Sequence, residues 1–174
     1  MRHIYTWAMA SSVDKKNVLR LMDEGYSPTI CPGGAQEVAY LDNDKDECVL
    51  FLTSRFGVIK LAMEKGRPLI PSFAFNQRGM WDFWLPKSGL MHWLGRKIGF
   101  MPIMFFGLFG IPLFIPKPWP VVLVVGKPIS VPRTSNPSQE ELLKVQKVVL
   151  ESYRTLFEDH KAKFGMAKTA LRII

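Results

Sequence analysis

The chain has 174 residues, of which 48% are hydrophobic and 12% aromatic, and its net charge is +8. This length suits one domain with a sizeable core, and the mean hydropathy of +0.06 is high for an average globular domain. A basic and apolar chain favours an anionic membrane surface or an anionic cofactor as its partner. Nucleic acid is disfavoured as a partner, because no basic run exceeds two residues and no nucleic-acid-binding motif occurs.

The two cysteines, Cys31 and Cys48, match neither a CxxC pair nor a metal-binding pattern. They are too few for a disulfide framework, so we expect a reducing, cytosol-facing compartment. No metal site is predicted. Residues 1–5 do not begin a signal peptide, since no adequate apolar segment or small-residue cleavage site follows them.

The first predicted element is a helix that begins at Ser11 or Ser12, runs through Val18 and Leu21, and ends at Gly25. A β-prone run follows at residues 28–31. It leads into a proline and two glycines.

The segment CPGGAQE, residues 31–37, combines a sharp turn with a carboxylate. Gly33 and Gly34 leave backbone amides that no side chain shields, and such amides can face a phosphate or a developing oxyanion. Glu37 is expected just past this turn, at the end of a strand, where polar groups of α/β sheets meet ligands. The alternative is an ordinary glycine-rich turn with a solvated glutamate.

A strand–helix–strand unit follows. Residues 48–52 predict a buried strand, residues 58–65 a helix that Gly66 ends, and residues 68–75 a second strand. This order predicts a βαβ unit with parallel pairing and a right-handed crossover, and therefore an α/β sheet.

The middle of the chain is aromatic and then apolar. Residues 76–93 mix tryptophans with basic residues, which fits either a membrane-interface belt or a packed aromatic cluster. Residues 98–116 contain no charge, but glycines and prolines interrupt them too often for a spanning helix. We interpret them as a buried or interfacial apolar hairpin that forms a wall for an acyl chain, with plain core as the alternative.

The last third predicts a strand and a long helix. Residues 121–125 are continuous and β-branched, which predicts a strand that is buried on both faces. Asn136 is expected to cap the helix with Gln139 completing a capping box, and Gly165 is expected to end it. His160 is interpreted as a solvated cap residue. The sequence contains no GxSxG, Walker or HExxH motif.

Several ordered segments together resemble the diacylglycerol acyltransferase family of the second type, which includes monoacylglycerol acyltransferases and wax-ester synthases. The resemblance covers essentially the whole chain. Its segments are RHIYTW (2–7), CPGGAQE (31–37), FLTSRFG (51–57), AME (62–64), PLIP (68–71), IGFMP (98–102), GLFGIP (107–112), VVGKPI (124–129) and LFEDHK (156–161). One departure is Asn76, where the family commonly has glycine, so the shape of that turn stays open.

The resemblance implies roles for five residues. Glu37 matches the carboxylate of the family's Gly-Gly-x-x-Glu element and is the expected catalytic residue. The expected substrate-binding residues are Gly33, Gly34, Arg55 and Gly57, with Arg55 suited to the phosphates of acyl-CoA.

The resemblance also implies a fold and an activity. The expected fold is α/β, a mixed and largely parallel sheet flanked by helices as in glycerolipid acyltransferases. Residues 1–174 are expected to form a single, partial acyltransferase domain that is incomplete at its N-terminus. Its reaction is acyl transfer from acyl-CoA, the co-substrate, to diacylglycerol, with no permanently bound cofactor.

The family's catalytic histidine lies in a His-Pro-His motif, which these residues lack, so we expect the chain to be the C-terminal part of the enzyme. The expected location is the cytosolic face of the endoplasmic reticulum membrane and the lipid droplet. Homo-oligomers are compatible with this interpretation. The alternative function is an inactive lipid-binding or acyl-CoA-binding fragment, regulatory toward a full-length relative.

Overall fold

The computed structural model of the chain describes residues 10–33, 37, 40, 46–84, 103–112 and 115–174. In order, its α-helices and β-strands are α1 (Lys15–Asp23), β1 (Glu47–Leu50), α2 (Gly57–Lys65), β2 (Ser72–Phe75), β3 (Asp82–Trp84), β4 (Met104–Phe106), β5 (Val122–Val125), α3 (Gln139–Lys161) and β6 (Ala170–Ile173). Two short 3-10 helices, Gln77–Met80 and Leu108–Gly110, flank β3 and β4. The mixed α/β class predicted from the sequence is confirmed.

The prediction of a largely parallel sheet is wrong for the described strands. They form three pairs, of which β1–β6 is parallel and β2–β5 and β3–β4 are antiparallel. The strands before and after α2 therefore do not pair with each other as the βαβ prediction required. β1 takes its partner from the last strand of the chain, with Glu47 opposite Ala170 and Leu50 opposite Ile173.

Strand β5 is buried on one face, so the prediction that both faces are buried is also wrong. Leu123 and Val125 are 62% and 61% exposed, whereas Val124 packs against the core. The reason lies in the pairing. An antiparallel pair such as β2–β5 can keep one face in water, and a continuous apolar run does not reveal this.

The sequence predictions of α1 and α3 hold in outline, but the residues that cap these helices differ from the predicted ones. Asp14 caps α1 by accepting a hydrogen bond from the Asn17 amide (2.9 Å), in place of Ser11 or Ser12. Ser138 caps α3 in place of Asn136.

The capping box of α3 uses Glu141 in place of Gln139. The Glu141 side chain accepts from the Ser138 amide (2.8 Å), and the Ser138 hydroxyl accepts from the Glu141 amide (3.3 Å). Both candidate pairs have the same spacing, but a carboxylate suits a helix N-terminus better than an amide does. At its other end α3 stops at Lys161, and Gly165 lies in the turn that follows with φ +77°.

Helix α3 joins the two clusters of the core. Near its start Leu142 packs with Ile59 and Met63 of α2. Near its end Leu156 and Phe157 pack with Phe73 and Phe75 of β2. Phe75 and Phe157 are fully buried and stack with their ring centroids 5.8 Å apart. The sequence of this helix predicts an inward-facing apolar stripe, and the stripe is confirmed by the burial of Leu142, Leu156 and Phe157. Its predicted members are Leu142, Val145, Val149, Tyr153, Leu156 and Phe157.

Asn76 adopts a left-handed conformation, with φ 64° and ψ 14°. Asparagine tolerates this region better than most residues, so the turn keeps a shape that glycine would also allow.

The remaining predictions concern irregular segments. Residues 28–31 form no strand. Of residues 98–116, only 103–112 and 115–116 are described; there β4 pairs with β3, and Phe109 is 85% exposed. No helix in the described part of the chain is long and apolar enough to cross a bilayer.

Candidate functional site

The Glu37 side chain reaches the carboxyl end of β1, whereas the sequence predicted it at the end of a strand at residues 28–31, which the structure does not form. Its side chain is half-buried, and Oε1 accepts a hydrogen bond from the backbone amide of Phe51 at 2.9 Å. Phe51 is the first residue after β1. The bond fixes one carboxylate oxygen at the point where the parallel pair ends.

Gly33 is buried directly against this carboxylate. A Cβ atom built on Gly33 would lie 1.8 Å from Oε1 and 2.1 Å from Cδ of Glu37. Any larger residue at this position would therefore displace the carboxylate from the Phe51 amide. Glycine is required here by the close approach of a side chain, whereas the sequence predicted a role for its exposed amide.

Arg55 contacts Phe51, the residue whose backbone amide binds Glu37. The Arg55 guanidinium lies over the Phe51 ring, 5.1 Å from the centroid, and the side chain does not line the cavity described below. Gly57 is the first residue of α2, and a Cβ there would meet nothing within 4 Å. Gly34 lies outside the described residues.

A cavity of about 560 Å³ opens beside Glu37. Its wall is built mainly from apolar side chains of β1, β2, β5 and the turn before β6. Among these are Leu50, Phe73, Leu123 and Met166. A cleft with an apolar wall and a few polar groups is the usual form of a small-molecule site.

Tyr153 is a polar wall residue whose function the sequence did not reveal. It extends from α3 into the cavity that Gly33 and Glu37 also line. Burial raises the pKa of its hydroxyl, the charges of Cys31 and Glu37 act in the same direction, and a backbone hydrogen bond with Ser72 opposes them. The hydroxyl therefore stays protonated at neutral pH. The one available signal was a phenol within an otherwise apolar helical stripe.

The charged side chains of the described wall are mostly acidic, although the chain as a whole is basic. They are Glu37, Asp46, Glu47 and Arg78. Asp46 accepts a hydrogen bond from the Thr169 hydroxyl (2.7 Å), and Glu47 pairs with Arg172 (3.2 Å). Such a wall suits an uncharged ligand better than a polyphosphate.

Two further groups bear on the chemistry. Burial raises the pKa of the Cys48 thiol, so this wall residue is not a thiolate at neutral pH. His160 lies apart from the wall, with Nδ1 2.9 Å from the carbonyl oxygen of Leu156. Within the described residues no group of acidic, cysteine or histidine side chains could hold a metal ion. The arrangement can therefore hold an apolar molecule with a hydroxyl or carbonyl group beside Glu37 and Tyr153.

Comparison with known proteins shows the family to which the chain belongs. The sequence model of the diacylglycerol acyltransferase family matches residues 1–174, the whole chain. The chain belongs to this family.

Individual relatives agree with the family assignment. Diacylglycerol O-acyltransferase 1 of Eremothecium gossypii is 35% identical over 94% of this chain and 37% of its own length. Bovine 2-acylglycerol O-acyltransferase 1 is 32% identical over 89% of this chain and 49% of its own length. Human acyl-CoA wax alcohol acyltransferase 2 is 30% identical over 79% of this chain and 43% of its own length. The chain thus spans less than half the length of these relatives. No solved structure matches it.

Proposed function

We propose that this chain takes part in the transfer of a fatty acyl group from acyl-CoA to the hydroxyl of diacylglycerol. The acceptor oxygen attacks the thioester carbonyl carbon, the carbon–sulfur bond breaks, and the hydroxyl proton passes to a base. The sulfur takes up a proton and leaves as CoA thiol. The products are triacylglycerol and CoA.

One observation carries this proposal: a half-buried carboxylate, Glu37, is held in the wall of a largely apolar cavity. The apolar wall suits a lipid, and the carboxylate can accept a hydrogen bond from the acceptor hydroxyl or orient the base that takes its proton. The protonated hydroxyl of Tyr153 can donate to the same acceptor oxygen or to the thioester carbonyl.

The phosphates of CoA are proposed to bind outside this cavity. Arg55 is exposed, and its guanidinium lies over the Phe51 ring, outside the residues that line the cavity. A guanidinium suits phosphate oxygens, whereas the acidic residues of the cavity wall would repel them. Gly33, Gly34 and Gly57 stay assigned to substrate binding on the resemblance alone.

A membrane surface is proposed as the source of the lipid substrate, at the cytosolic face of the endoplasmic reticulum or on lipid droplets. Support comes from exposed apolar side chains of β3, β4 and the following loop, here called the β3–β4 surface: Trp84, Met104, Phe109, Ile111 and Ile115. Backbone hydrogen bonds join this region, from Leu108 to Ile115 (2.9 Å) and from Lys117 to Met80 (2.9 Å). The nearby Trp119 lines the cavity and is itself exposed.

A second candidate function is binding of acyl-CoA or lipid without turnover. The observation that favours it is the histidine content: the sequence holds His3, His92 and His160, and none lies in a His-Pro-His motif. No histidine lines the described part of the cavity.

The test uses labelled palmitoyl-CoA and diacylglycerol in detergent micelles, with labelled triacylglycerol as the readout. In an enzyme that joins this chain to a segment with the His-Pro-His motif, we expect product, and about 100-fold less from Glu37→Gln, which keeps an oxygen for the Phe51 amide but loses the charge. Binding of palmitoyl-CoA without product would support the second candidate. Absence of both binding and product would overturn the proposal.

A further inference from the structure

The loop between β1 and α2 is bonded on several sides at its start. The Phe51 amide donates to Glu37, and the Leu52 and Thr53 amides both donate to the carbonyl oxygen of Ile174, at 2.8 and 3.0 Å. Three consecutive amides of one loop are thus bound by two distant parts of the chain. Functional groups are usually held in this way, by supporting bonds from rigid elements.

Gln146 of α3 binds the carbonyl side of the same loop. Its Nε2 donates to the carbonyl oxygens of Leu52 (3.2 Å) and Thr53 (2.8 Å), and the residue is only 6% exposed. Gln146 lies one turn after Leu142 in the buried stripe of the helix, where an apolar side chain would satisfy packing. Burial of an amide is costly unless it is hydrogen-bonded, so its two bonds to the loop account for its presence there.

These bonds lead directly to Arg55. The Arg55 amide donates to the carbonyl oxygen of Leu52 at 3.1 Å, and this oxygen is one of the two that Gln146 binds. The Arg55 side chain then lies over the ring of Phe51. The position of the guanidinium therefore depends on the loop conformation that Gln146 holds.

We propose that Gln146 is a positioning residue that orients Arg55 toward the phosphates of acyl-CoA. This inference rests on the proposed function, which assigns those phosphates to Arg55. Without the Gln146 amide, the Thr53 carbonyl oxygen loses this donor, the Leu52 carbonyl oxygen loses one of two donors, the Arg55 amide being the other, and the loop rearranges toward water. Arg55 then loses its fixed direction, while the cavity wall on β2, β5 and α3 lies outside this loop.

The test compares two ligands, of which only one carries the phosphorylated adenosine of CoA. Palmitoyl-CoA and S-palmitoyl pantetheine share the acyl chain and the thioester, and only the first carries phosphate groups. Binding of each to the full 174-residue chain is measured by titration calorimetry. The ratio of the affinity for palmitoyl-CoA to that for the pantetheine thioester reports the contacts to the phosphorylated adenosine, and the change of this ratio in Arg55→Ala reports the part that the guanidinium contributes. A general loss of folded protein lowers both affinities alike.

We expect Arg55→Ala to reduce this ratio about tenfold, as loss of a hydrogen bond to a charged group should. Gln146→Leu should reduce it by a similar factor while the affinity for the pantetheine thioester stays near that of the wild type. Gln139→Leu is the matched control, an exposed glutamine at the start of the same helix, and should leave the ratio unchanged.

The outcomes separate the two ideas. A folded Gln146→Leu chain with the wild-type ratio, alongside a reduced ratio for Arg55→Ala, would overturn the positioning role alone. An unchanged ratio for Arg55→Ala would overturn the assignment of Arg55 to the phosphates, and the positioning role with it. Should Gln146→Leu fail to fold, Gln146→Glu takes its place, because it keeps the shape of the side chain and, when protonated, one donor. The affinity ratio of Gln146→Glu must then lie between those of the wild type and Arg55→Ala.

Discussion

At the scale of single residues, the site depends on a close fit between Gly33 and Glu37. The carboxylate occupies the space that any side chain at position 33 would need, and the Phe51 amide holds it there. A carboxylate that accepts a backbone hydrogen bond is fixed in direction more firmly than one on a free side chain. This fixed direction makes Glu37 suited to meet a substrate hydroxyl.

Substitution of Gly33 and of Gly57 by alanine should have different effects on stability. Gly33→Ala forces the Glu37 carboxylate away from the Phe51 amide, so we expect the free energy of unfolding to fall by about 1–3 kcal/mol. Gly57→Ala adds a methyl group in open space at the start of a helix, and should leave stability unchanged or raise it by up to about 1 kcal/mol. Urea denaturation of the two variants checks this, and equal losses of stability would contradict the packing described for Gly33.

The buried hydroxyl of Tyr153 should make the free energy of unfolding depend on pH in the alkaline range. Burial raises the pKa of its hydroxyl above the usual value of 10.0, so the unfolded chain loses this proton at lower pH than the folded chain does. The contribution to stability is therefore complete below about pH 10 and is lost as the pH rises through the higher folded value. Tyr153→Phe should show a smaller loss of stability than wild type as the pH rises above the usual tyrosine pKa of 10.0, as measured by thermal unfolding. Identical alkaline profiles would show that the hydroxyl is not buried in solution.

At the scale of whole elements, α3 holds the molecule together. Its first half packs on α2, its second half packs on β2, and Gln146 between them binds the loop after β1. The helix thereby connects Glu37, Arg55 and Tyr153 to one rigid support. A substitution that destabilises the start of α3 should therefore disturb the candidate site as well as the core.

The capping box of α3 offers a test of that connection. Ser138→Ala removes the hydroxyl that accepts from the Glu141 amide and should lower the free energy of unfolding by about 1 kcal/mol. Asn136→Ala is the control, because Asn136 was the predicted cap but the structure assigns the role to Ser138. A larger loss for Asn136→Ala than for Ser138→Ala would contradict the observed helix start.

The same capping box should make the free energy of unfolding depend on pH in the acid range. Hydrogen bonds from the backbone and the side chain of Ser138 lower the pKa of Glu141 from its usual value of 4.5. Its stabilising effect is thus present above pH 4.5 and is lost as the pH falls through the lower folded value. Glu141→Gln should flatten the stability profile below pH 4.5, and an unchanged acid profile would contradict the hydrogen bonds of the box.

Local elements could be predicted from the sequence, but strand partners could not. The periodicity of α2 and α3 and the positive φ of Gly25 and Gly66 follow from residue pattern and glycine chemistry. The pairing of β1 with β6 joins segments that are far apart in the sequence, and no local pattern encodes it. β6 itself was missed because its four residues alternate only weakly.

The candidate site was partly predictable for the same reason. Glu37 and Gly33 lie within a recognisable turn, so the sequence drew attention to both. Tyr153 and Gln146 are distant in sequence and reach the site only because α3 packs beside β2 and α2. The apolar stripe predicted for α3 included Tyr153 without indicating what it would contact, and it did not include Gln146 at all.

At the scale of the whole molecule, the β3–β4 surface groups five exposed apolar residues on two paired strands and the loop that follows them. Its residues Trp84 and Met104 face each other across the β3–β4 pair, and both are about half exposed. Together with a net charge of +8, this arrangement favours contact with an anionic bilayer. Trp81 packs on Phe105 with ring centroids 6.1 Å apart, which leaves it less available for such contact than Trp84.

Replacement of two exposed residues should separate membrane contact from folding. The double variant Trp84→Ser, Phe109→Ser should bind phosphatidylserine-containing vesicles at least about tenfold more weakly in a sedimentation assay, because two apolar side chains no longer insert. Leu143→Ser is the control, an apolar residue of α3 with similar exposure to Trp84. Equal vesicle binding by the double variant and wild type would exclude the β3–β4 surface as the contact.

The central claim is that the cavity beside Glu37 receives the acyl chain of the substrate. Photolabelling with palmitoyl-CoA that carries a diazirine at the end of its acyl chain tests this most directly, with cross-linked residues identified by mass spectrometry. We predict cross-links to wall residues such as Ile30, Leu123 and Met166, which excess unlabelled palmitoyl-CoA suppresses. Cross-links confined to the β3–β4 surface, with none in the wall of the cavity, would contradict the claim.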